Sequence, residues 1–122
     1  AAGKDIAEGI MASAGVVPFN LLPPEGQKFE KDFAAKLGIK KEDFEIYAKY
    51  GYAAAEVTMN AITKTCAKDR DAIRKAMIET QGLKTVVGTM TFDKNGDTTD
   101  TTMTGFIITK GELTETQAKL AK

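Results

Sequence analysis

The stretch YGYAAAEV at residues 50–57 lies within the longest helical pattern of this 122-residue sequence. Apolar residues around it recur at spacings of three and four, the repeat that places side chains on one face of an α-helix. The pattern predicts a helix from about residue 43 to residue 66, with Asp43 as its N-cap. Its expected apolar stripe consists of Phe44, Ala48, Tyr52, Ala55, Met59, Ile62 and Cys66. The small side chains of the central alanine run allow another helix or a sheet to approach this one closely.

Two shorter helices are predicted on either side of the long one. Residues 25–37 repeat an apolar side chain every four positions, and Gly38 follows as a suitable C-terminal cap. Downstream, Asp69 is expected to cap a helix that ends near Thr80. The apolar face of this last helix consists of Ala72, Ile73, Ala76 and Met77. Residues 25–80 are therefore expected to be helical apart from their connections.

The N-terminal part of the chain is expected to contain a strand followed by a connector. Within residues 1–13, the pattern of residues 6–13 (IAEGIMAS) is typical of a short strand. Residues 14–24 (AGVVPFNLLPP) contain three prolines, each of which removes a hydrogen-bond donor and restricts its predecessor. This segment is therefore interpreted as an irregular connector.

The C-terminal part is predicted to form a β-hairpin over residues 83–113. Residues 86–92 and residues 103–109 have strand-like composition, and the Asn95-Gly96 step between them is a turn signal. A further turn is expected at residues 110–112, and residues 114–122 read as a polar tail.

Charge and composition limit the class of function. Lys and Arg together number 17, as do Asp and Glu, so the balanced charge gives no reason to expect a nucleic-acid partner. The sequence has no histidine, which removes Ser-His-Asp and Cys-His catalysis and nearly all zinc sites. The single cysteine, Cys66, excludes an internal disulfide and is interpreted as a buried structural residue. These features favour binding over catalysis, and no cofactor is expected.

Residues 93–97 (DKNGD) resemble the opening of a calcium-binding loop of the EF-hand type. The pattern fails further on, because Thr98 stands where the loop requires glycine and Thr104 where it requires a bidentate acid. A solvated turn is the better interpretation, and no metal site is predicted.

The three tyrosines of the chain fall within six positions of one another. Tyr52 lies on the apolar stripe and is expected in the core. Tyr47 and Tyr50 lie off the stripe near the start of the long helix. They are candidates to present rings and hydroxyl groups to a ligand-binding cleft, and the alternative is that they pack under a neighbouring loop.

The ordered set of residues 50–57, 69–77 and 87–97 (VGTMTFDKNGD) resembles the branched-chain amino acid and amide binding proteins of ABC transporters. In that family a Tyr followed by small residues packs a long helix against the sheet of one lobe. The resemblance covers nearly the whole chain and corresponds to roughly the last third of such a protein. It implies an α/β fold, namely the C-terminal part of a type I periplasmic binding protein, with about three helices, a short strand and a C-terminal β-hairpin.

The resemblance also implies a function and a location. Family members are extracytoplasmic proteins, not enzymes, whose two lobes close on a small amino acid, amide or related carboxylate and deliver it to a membrane permease. The alternative is a sensory or regulatory ligand-binding domain of the same fold. An aromatic residue at the start of the long helix often lines the cleft in this family, and Tyr47 occupies that position, with Tyr50 beside it. Because unpaired strand edges recruit partners, the chain is also expected to pair with a second copy or with a complementary fragment of the same protein.

Overall fold

Helices and short strands alternate along the chain in this computed structural model, which describes residues 4–40 and 44–115. In chain order the elements are α1 (Lys4–Ala7), β1 (Met11–Ala14), α2 (Pro24–Leu37), α3 (Ala48–Thr65), α4 (Arg70–Ile78), β2 (Leu83–Thr85), β3 (Gly88–Met90), β4 (Thr104–Thr109) and β5 (Glu112–Glu115). A short 3-10 turn, Phe19–Leu21, precedes α2. The predicted α/β class, with three substantial helices and a short N-terminal strand, is confirmed.

The chain forms two compact units. The helical unit is Phe19–Asp100 and contains α2, α3, α4, β2 and β3. The sheet unit contains α1, β1, β4 and β5, and its described residues are 4–18 and 101–115. The first boundary between the units falls within the proline-rich residues 14–24.

The sheet unit is built on an antiparallel sheet with the strand order β1-β4-β5. The central strand places Phe106 opposite Ala12 of β1, and Phe106 is a buried residue. The hydroxyl of Thr104 donates a hydrogen bond to the carbonyl oxygen of Val16 at 2.6 Å, and both residues are buried. This bond satisfies two polar groups that would otherwise be costly to bury.

Both ends of the sheet unit differ from the sequence prediction. The strand predicted over residues 6–13 is wrong in its first half, where α1 ends at Ala7 and Gly9 turns the chain at a φ of 78°. Because glycine adopts this φ readily, the chain reverses here and becomes extended only from Met11. At the other end, the turn predicted at residues 110–112 is confirmed. That turn returns the chain alongside β4 as β5, where a polar tail was expected to begin.

The β-hairpin predicted between residues 86–92 and residues 103–109 is wrong. β3 pairs instead with β2 through a tight turn at Val86-Val87, and β4 pairs with β1 and β5. The Asn95-Gly96 turn does form, but it pairs Phe92 with Thr98 and does not join the two predicted strands. The reversal is complete well before β4 begins, so this turn does not set the partner of β4.

Two helix termini in the helical unit form as predicted. Gly38 ends α2 in the left-handed conformation with a φ of 66°, and the N–H of Ile39 donates to the carbonyl oxygen of Ala34 at 3.1 Å. This pattern satisfies carbonyls that a helix end would leave unpaired. At the start of α4, the side chain of Asp69 accepts a hydrogen bond from the N–H of Ala72 at 2.8 Å.

The helix α3 buries a different face from the one that its apolar spacing predicted. Its buried residues are Lys49, Ala53, Val57 and Ala61. On the predicted stripe, Tyr52 is 48% exposed and Met59 is 61% exposed. The face with alanines is buried because small side chains let α4 and β2 pack closely against the helix. The helix also begins later than predicted, at Ala48, and the expected N-cap Asp43 lies outside the described residues.

The core of the helical unit forms where the β2–β3 turn contacts both α2 and α3. Buried here are Ala53, Val86 and Val87, with Phe29, Tyr50 and Met90 packed against them. The N–H of Val86 donates to the carboxylate of Glu56 on α3 at 3.0 Å. On the other side, a Cβ added at Gly26 of α2 would lie 1.9 Å from the carbonyl oxygen of Val86. The close approach of α2 to this turn therefore requires glycine at position 26.

We expect Gly26→Ala to destabilise the chain by about 1–3 kcal/mol, because the added methyl group overlaps a backbone oxygen and the elements must move apart. Gly51→Ala is the matched control, since Gly51 also lies in a helix and its added Cβ would meet nothing within 4 Å. This control should stabilise the chain by about 0.5–1 kcal/mol. Urea unfolding followed by circular dichroism measures both. Equal effects of the two substitutions would contradict the close packing described here.

A buried ion pair joins α2 to α3. The Nζ atom of Lys49 lies 2.8 Å from Oε1 of Glu30, and the two side chains are 2% and 10% exposed. A charge buried this deeply is tolerated when its partner is present and becomes costly when it is not. The pair therefore fixes which turns of the two helices face each other.

Lys49→Met is expected to destabilise the chain by about 3–5 kcal/mol, because it leaves the Glu30 carboxylate buried without its cation. The double variant Lys49→Met/Glu30→Leu should recover most of that loss, since it removes both charges. The exposed pair of Lys75 and Glu79 on α4, at 3.8 Å, supplies the control: Lys75→Met should change the free energy of unfolding by less than about 0.5 kcal/mol. A double-mutant cycle in urea gives the coupling. If Lys49→Met behaved like Lys75→Met, the buried pair would have no structural role.

Candidate functional site

The N-terminus of α3 positions the first candidate, Tyr47. This residue directly precedes the helix, with φ of −88° and ψ of −8°, and its side chain makes no capping hydrogen bond. Its carbonyl oxygen accepts from the N–H groups of Tyr50 at 3.0 Å and Gly51 at 3.3 Å. The backbone of Tyr47 is thus held by the first turn of the helix, while the residue as a whole is 61% exposed.

The second candidate, Tyr50, lies behind Tyr47. It is half-buried and packs against the core cluster of Ala53, Val86 and Val87. The ring centroids of Tyr47 and Tyr50 are 6.1 Å apart with an interplanar angle of 48°. This separation is within the range of favourable aromatic pairs. The structure therefore brings the two candidates together as one aromatic surface, with Tyr50 anchored in the core and Tyr47 outermost.

The third tyrosine, Tyr52, was predicted to lie in the core, and this prediction is wrong. The residue is 48% exposed, and its ring contacts that of Phe29 of α2 with the centroids 4.5 Å apart and the planes tilted by 36°. It also lines a groove between α2 and α3 that Tyr47 and Tyr50 do not line. The tyrosine cluster of the sequence thus divides into a pair at the start of α3 and a single residue that faces α2.

Two residues that support the Tyr47–Tyr50 pair, Lys49 and Glu56, were not predicted from the sequence. Lys49 lies between Tyr47 and Tyr50 in the first turn of α3, and its buried bond to Glu30 holds this turn on α2. About two turns further along α3, Glu56 accepts a hydrogen bond from the N–H of Val86 and so fixes the β2–β3 turn against which Tyr50 packs. Both look in the sequence like solvated charges on a helix, and their partners are 19 and 30 positions away, so no local signal identifies them.

The interpretation of Cys66 as a buried residue is wrong. Cys66 is exposed and forms the C-cap of α3 in the left-handed conformation, with a φ of 48°. Its thiol lies 3.2 Å from the carbonyl oxygen of Thr63, to which it donates. The apolar stripe that ends in Cys66 is itself exposed from Tyr52 onward, so its spacing does not indicate burial here.

The Asp93 carboxylate, which began the calcium-like motif, is used within its own turn. It accepts hydrogen bonds from the N–H of Asn95 at 2.8 Å and from the N–H of Asp97 at 3.0 Å. Over residues 4–40 and 44–115, no group of three or more cysteine and acidic residues is arranged to hold a metal ion. The geometry is that of an Asx-type turn.

The chemistry available at the start of α3 is that of recognition. An exposed phenol ring offers apolar contact area, and its hydroxyl can donate or accept one hydrogen bond. Because the ring is rigid and is backed by the anchored Tyr50, little conformational freedom is lost when a ligand contacts it.

Comparisons with known proteins bear on the whole chain. The sequence profile described as periplasmic binding protein matches residues 1–112. A search of curated protein sequences gave no match.

Several solved structures share the fold. A leucine binding protein, LivK, from Thermotoga maritima superposes with a TM-score of 0.73 at 23% identity, over 90% of this chain and 30% of that one. The branched-chain amino acid transporter substrate binding protein LivJ from Streptococcus pneumoniae, in complex with isoleucine, gives 0.71 at 20% identity, over 92% and 30%. An ABC transporter substrate-binding protein from Desulfitobacterium hafniense, in complex with Leu, gives 0.65 at 21%, over 90% and 32%.

The chain thus spans about a third of the length of these solved relatives. At these identities the superpositions establish a shared fold, and the profile match covers far more than half of the chain. The resemblance predicted from residues 50–57, 69–77 and 87–97 is confirmed, and the chain belongs to the periplasmic binding protein family.

Proposed function

We propose that the chain is part of an extracytoplasmic solute-binding protein that captures a small amino acid, amide or related carboxylate and delivers it to an ABC transporter permease. The observation that carries the proposal is the family match over residues 1–112. Two of the solved relatives are described as complexes with isoleucine and with leucine, which supports a ligand of this size and polarity. The proposed location follows from the family. In the part of the chain that the structure describes, no helix has the length and apolar character needed to span a membrane.

We place one wall of the ligand site at the Tyr47–Tyr50 pair. Tyr47 supplies the contact, because its ring is exposed and its side chain is not used in capping the helix. Tyr50 positions that ring from behind and is itself held by the core. Capture of the ligand by closure of two lobes would be a population shift toward the form that binds it better.

The proposal predicts a distinct effect at each tyrosine in the intact parent protein. Tyr47→Ala should raise the dissociation constant for the bound amino acid roughly 10- to 100-fold, because it removes an aromatic contact worth about 1–3 kcal/mol. Tyr47→Phe tests the hydroxyl separately. Tyr52→Phe is the control for Tyr47→Phe, since Tyr52 is also largely exposed but lies within α3 and faces α2.

Isothermal titration calorimetry of the parent against amino acids, amides and aromatic acids gives these constants. Failure of every such compound to bind the folded protein would overturn the transport function. Binding that Tyr47→Ala leaves unchanged would overturn the placement of the wall while leaving the transport function intact.

A second prediction concerns the 122-residue chain alone. It should show no measurable heat with the ligand that the parent binds, because one wall supplies too few of the hydrogen bonds and apolar contacts that enclose a small ligand. The same calorimetric titration tests this, with circular dichroism to show that the chain is folded. Binding by the chain alone with the parent's affinity would mean that the whole site lies within these residues.

A further inference from the structure

The turn at residues 93–97 contains Asn95-Gly96, where an asparagine is followed directly by glycine. Asparagine is a chemically labile residue, because the next peptide nitrogen can attack its side-chain carbonyl carbon and close a five-membered succinimide ring. Glycine has no Cβ, so it hinders this attack less than any other residue does. Asn95 is also exposed, so solvent reaches the reacting groups. The turn therefore carries the chemistry of a modification site.

The two other asparagines of the chain lack this chemistry. Asn20 precedes Leu21 and Asn60 precedes Ala61, so the next residue carries a Cβ in both cases. Spontaneous loss of a side-chain amide is therefore expected at Asn95 before either of the others. Asn20 and Asn60 supply internal references for any measurement on the same chain.

In the folded turn, Asp93 holds both of the groups that would react. The N–H of Gly96 donates a hydrogen bond to the carbonyl oxygen of Asp93 at 3.1 Å. The side-chain Nδ2 of Asn95 donates to Oδ2 of the Asp93 carboxylate at 3.3 Å. The attacking nitrogen and the amide that would leave are thus both engaged, and the bond to Gly96 must break before the ring can close.

The Asp93 carboxylate also keeps the turn closed. Its Oδ1 atom accepts from the N–H of Asn95 at 2.8 Å and from the N–H of Asp97 at 3.0 Å. The N–H of Asp93 donates in return to the carbonyl oxygen of Asp97 at 2.8 Å. Hydrogen bonds to a charged acceptor are stronger than those between neutral groups, so loss of this carboxylate opens the turn.

We propose that Asn95 is a deamidation site and that Asp93 protects it while the turn is closed. When the turn opens, the Gly96 nitrogen loses its proton and attacks Cγ of Asn95. The new N–Cγ bond forms and the Cγ–Nδ2 bond breaks, and the amide takes up a proton and leaves as ammonia. Water then opens the succinimide at either carbonyl, which leaves aspartate or isoaspartate at position 95.

Both products disturb the turn in which they form. An aspartate at position 95 places a second negative charge where the Asn95 side chain now donates to the Asp93 carboxylate, and like charges repel at this separation. Isoaspartate adds a methylene group to the backbone and so changes the register of the Phe92–Thr98 pair. The reaction therefore weakens the turn that delayed it.

The test is the rate of deamidation in the 122-residue chain stored at mildly alkaline pH. Digestion with pepsin at low pH avoids further reaction during the measurement, and mass spectrometry assigns the product to each asparagine. In guanidinium chloride, Asn95 should react well ahead of Asn20 and Asn60. In the folded chain the rate at Asn95 should be lower by roughly tenfold or more, because the closed turn must open first.

Substitution of Asp93 tests the protection itself. Asp93→Ala should raise the rate at Asn95 in the folded chain roughly tenfold, since it removes the carboxylate that closes the turn. Asp93→Ser should give a smaller increase, because a hydroxyl caps such a turn more weakly than a carboxylate. If Asp93→Ala does not fold, Asp93→Ser carries the comparison. Circular dichroism and urea midpoints show which variants retain the fold.

Asp97→Ala is the matched control. It removes an acidic side chain from the same turn, and the backbone of Asp97 can still bond to Asp93. The rate at Asn95 should stay within about threefold of the original.

Four results would overturn the proposal. Denatured chain in which Asn95 reacts no faster than Asn20 and Asn60 would show that the site is not labile. Equal rates at Asn95 in folded and denatured chain would show that the turn gives no protection. Folded Asp93 variants that keep the original rate would place the protection elsewhere. An equal increase in Asp97→Ala would show that the effect is not specific to Asp93.

Discussion

The packing of α2 and α3 in the helical unit depends on the N–H and carbonyl groups of Val86. The N–H of this residue is bonded to Glu56 of α3, its carbonyl oxygen lies where a side chain at Gly26 of α2 would stand, and its own side chain is in the core. One residue of a tight turn thus determines how closely two helices approach. Neither helix could rotate or slide on the other without either leaving a buried N–H unpaired or opening a gap beside Gly26.

The position of the Tyr47–Tyr50 pair at the start of α3 depends on the contact of α3 with the Val86-Val87 turn. Tyr50 packs on the Val86-Val87 turn, and the buried bond between Lys49 and Glu30 holds the adjacent turn of α3 on α2. Tyr47 is held on that base by backbone hydrogen bonds from Tyr50 and Gly51 and by the contact of its ring with that of Tyr50. The ring of Tyr47, the proposed ligand contact, is thus backed by a packed core, and such preorganisation reduces the conformational entropy that binding costs.

The parts of this fold that local chemistry decides were predictable, and the parts that distant contacts decide were not. The Gly38 and Asp69 caps and the turn at residues 110–112 follow from the conformational preferences of single residues and form as expected. The buried face of α3 does not follow from apolar spacing, because close packing favours Ala53 and Ala61 over larger side chains nearby. The prediction of strand pairing was wrong because it relied on a local turn signal. β4 pairs with β1, about 90 positions away in the sequence, and no turn between neighbouring segments indicates that contact. At the candidate site, the spacing of Tyr47 and Tyr50 predicts that they lie beside each other, and they do. The buried contacts of Lys49 and Glu56 that support them could not be predicted, because their partners are distant in the sequence.

The left-handed end of α3 has a practical consequence. Cys66 is the one thiol of the chain and stands in solvent at the far end of the helix whose first turn is held by Tyr47. A helix rises about 1.5 Å per residue, so Tyr47 and Cys66, at opposite ends of α3, lie roughly 28 Å apart. A fluorescent or spin label on that sulfur would report the orientation of the helical unit without touching the tyrosine pair. The chain therefore already contains a selective attachment point from which movement of this unit in a larger protein could be followed.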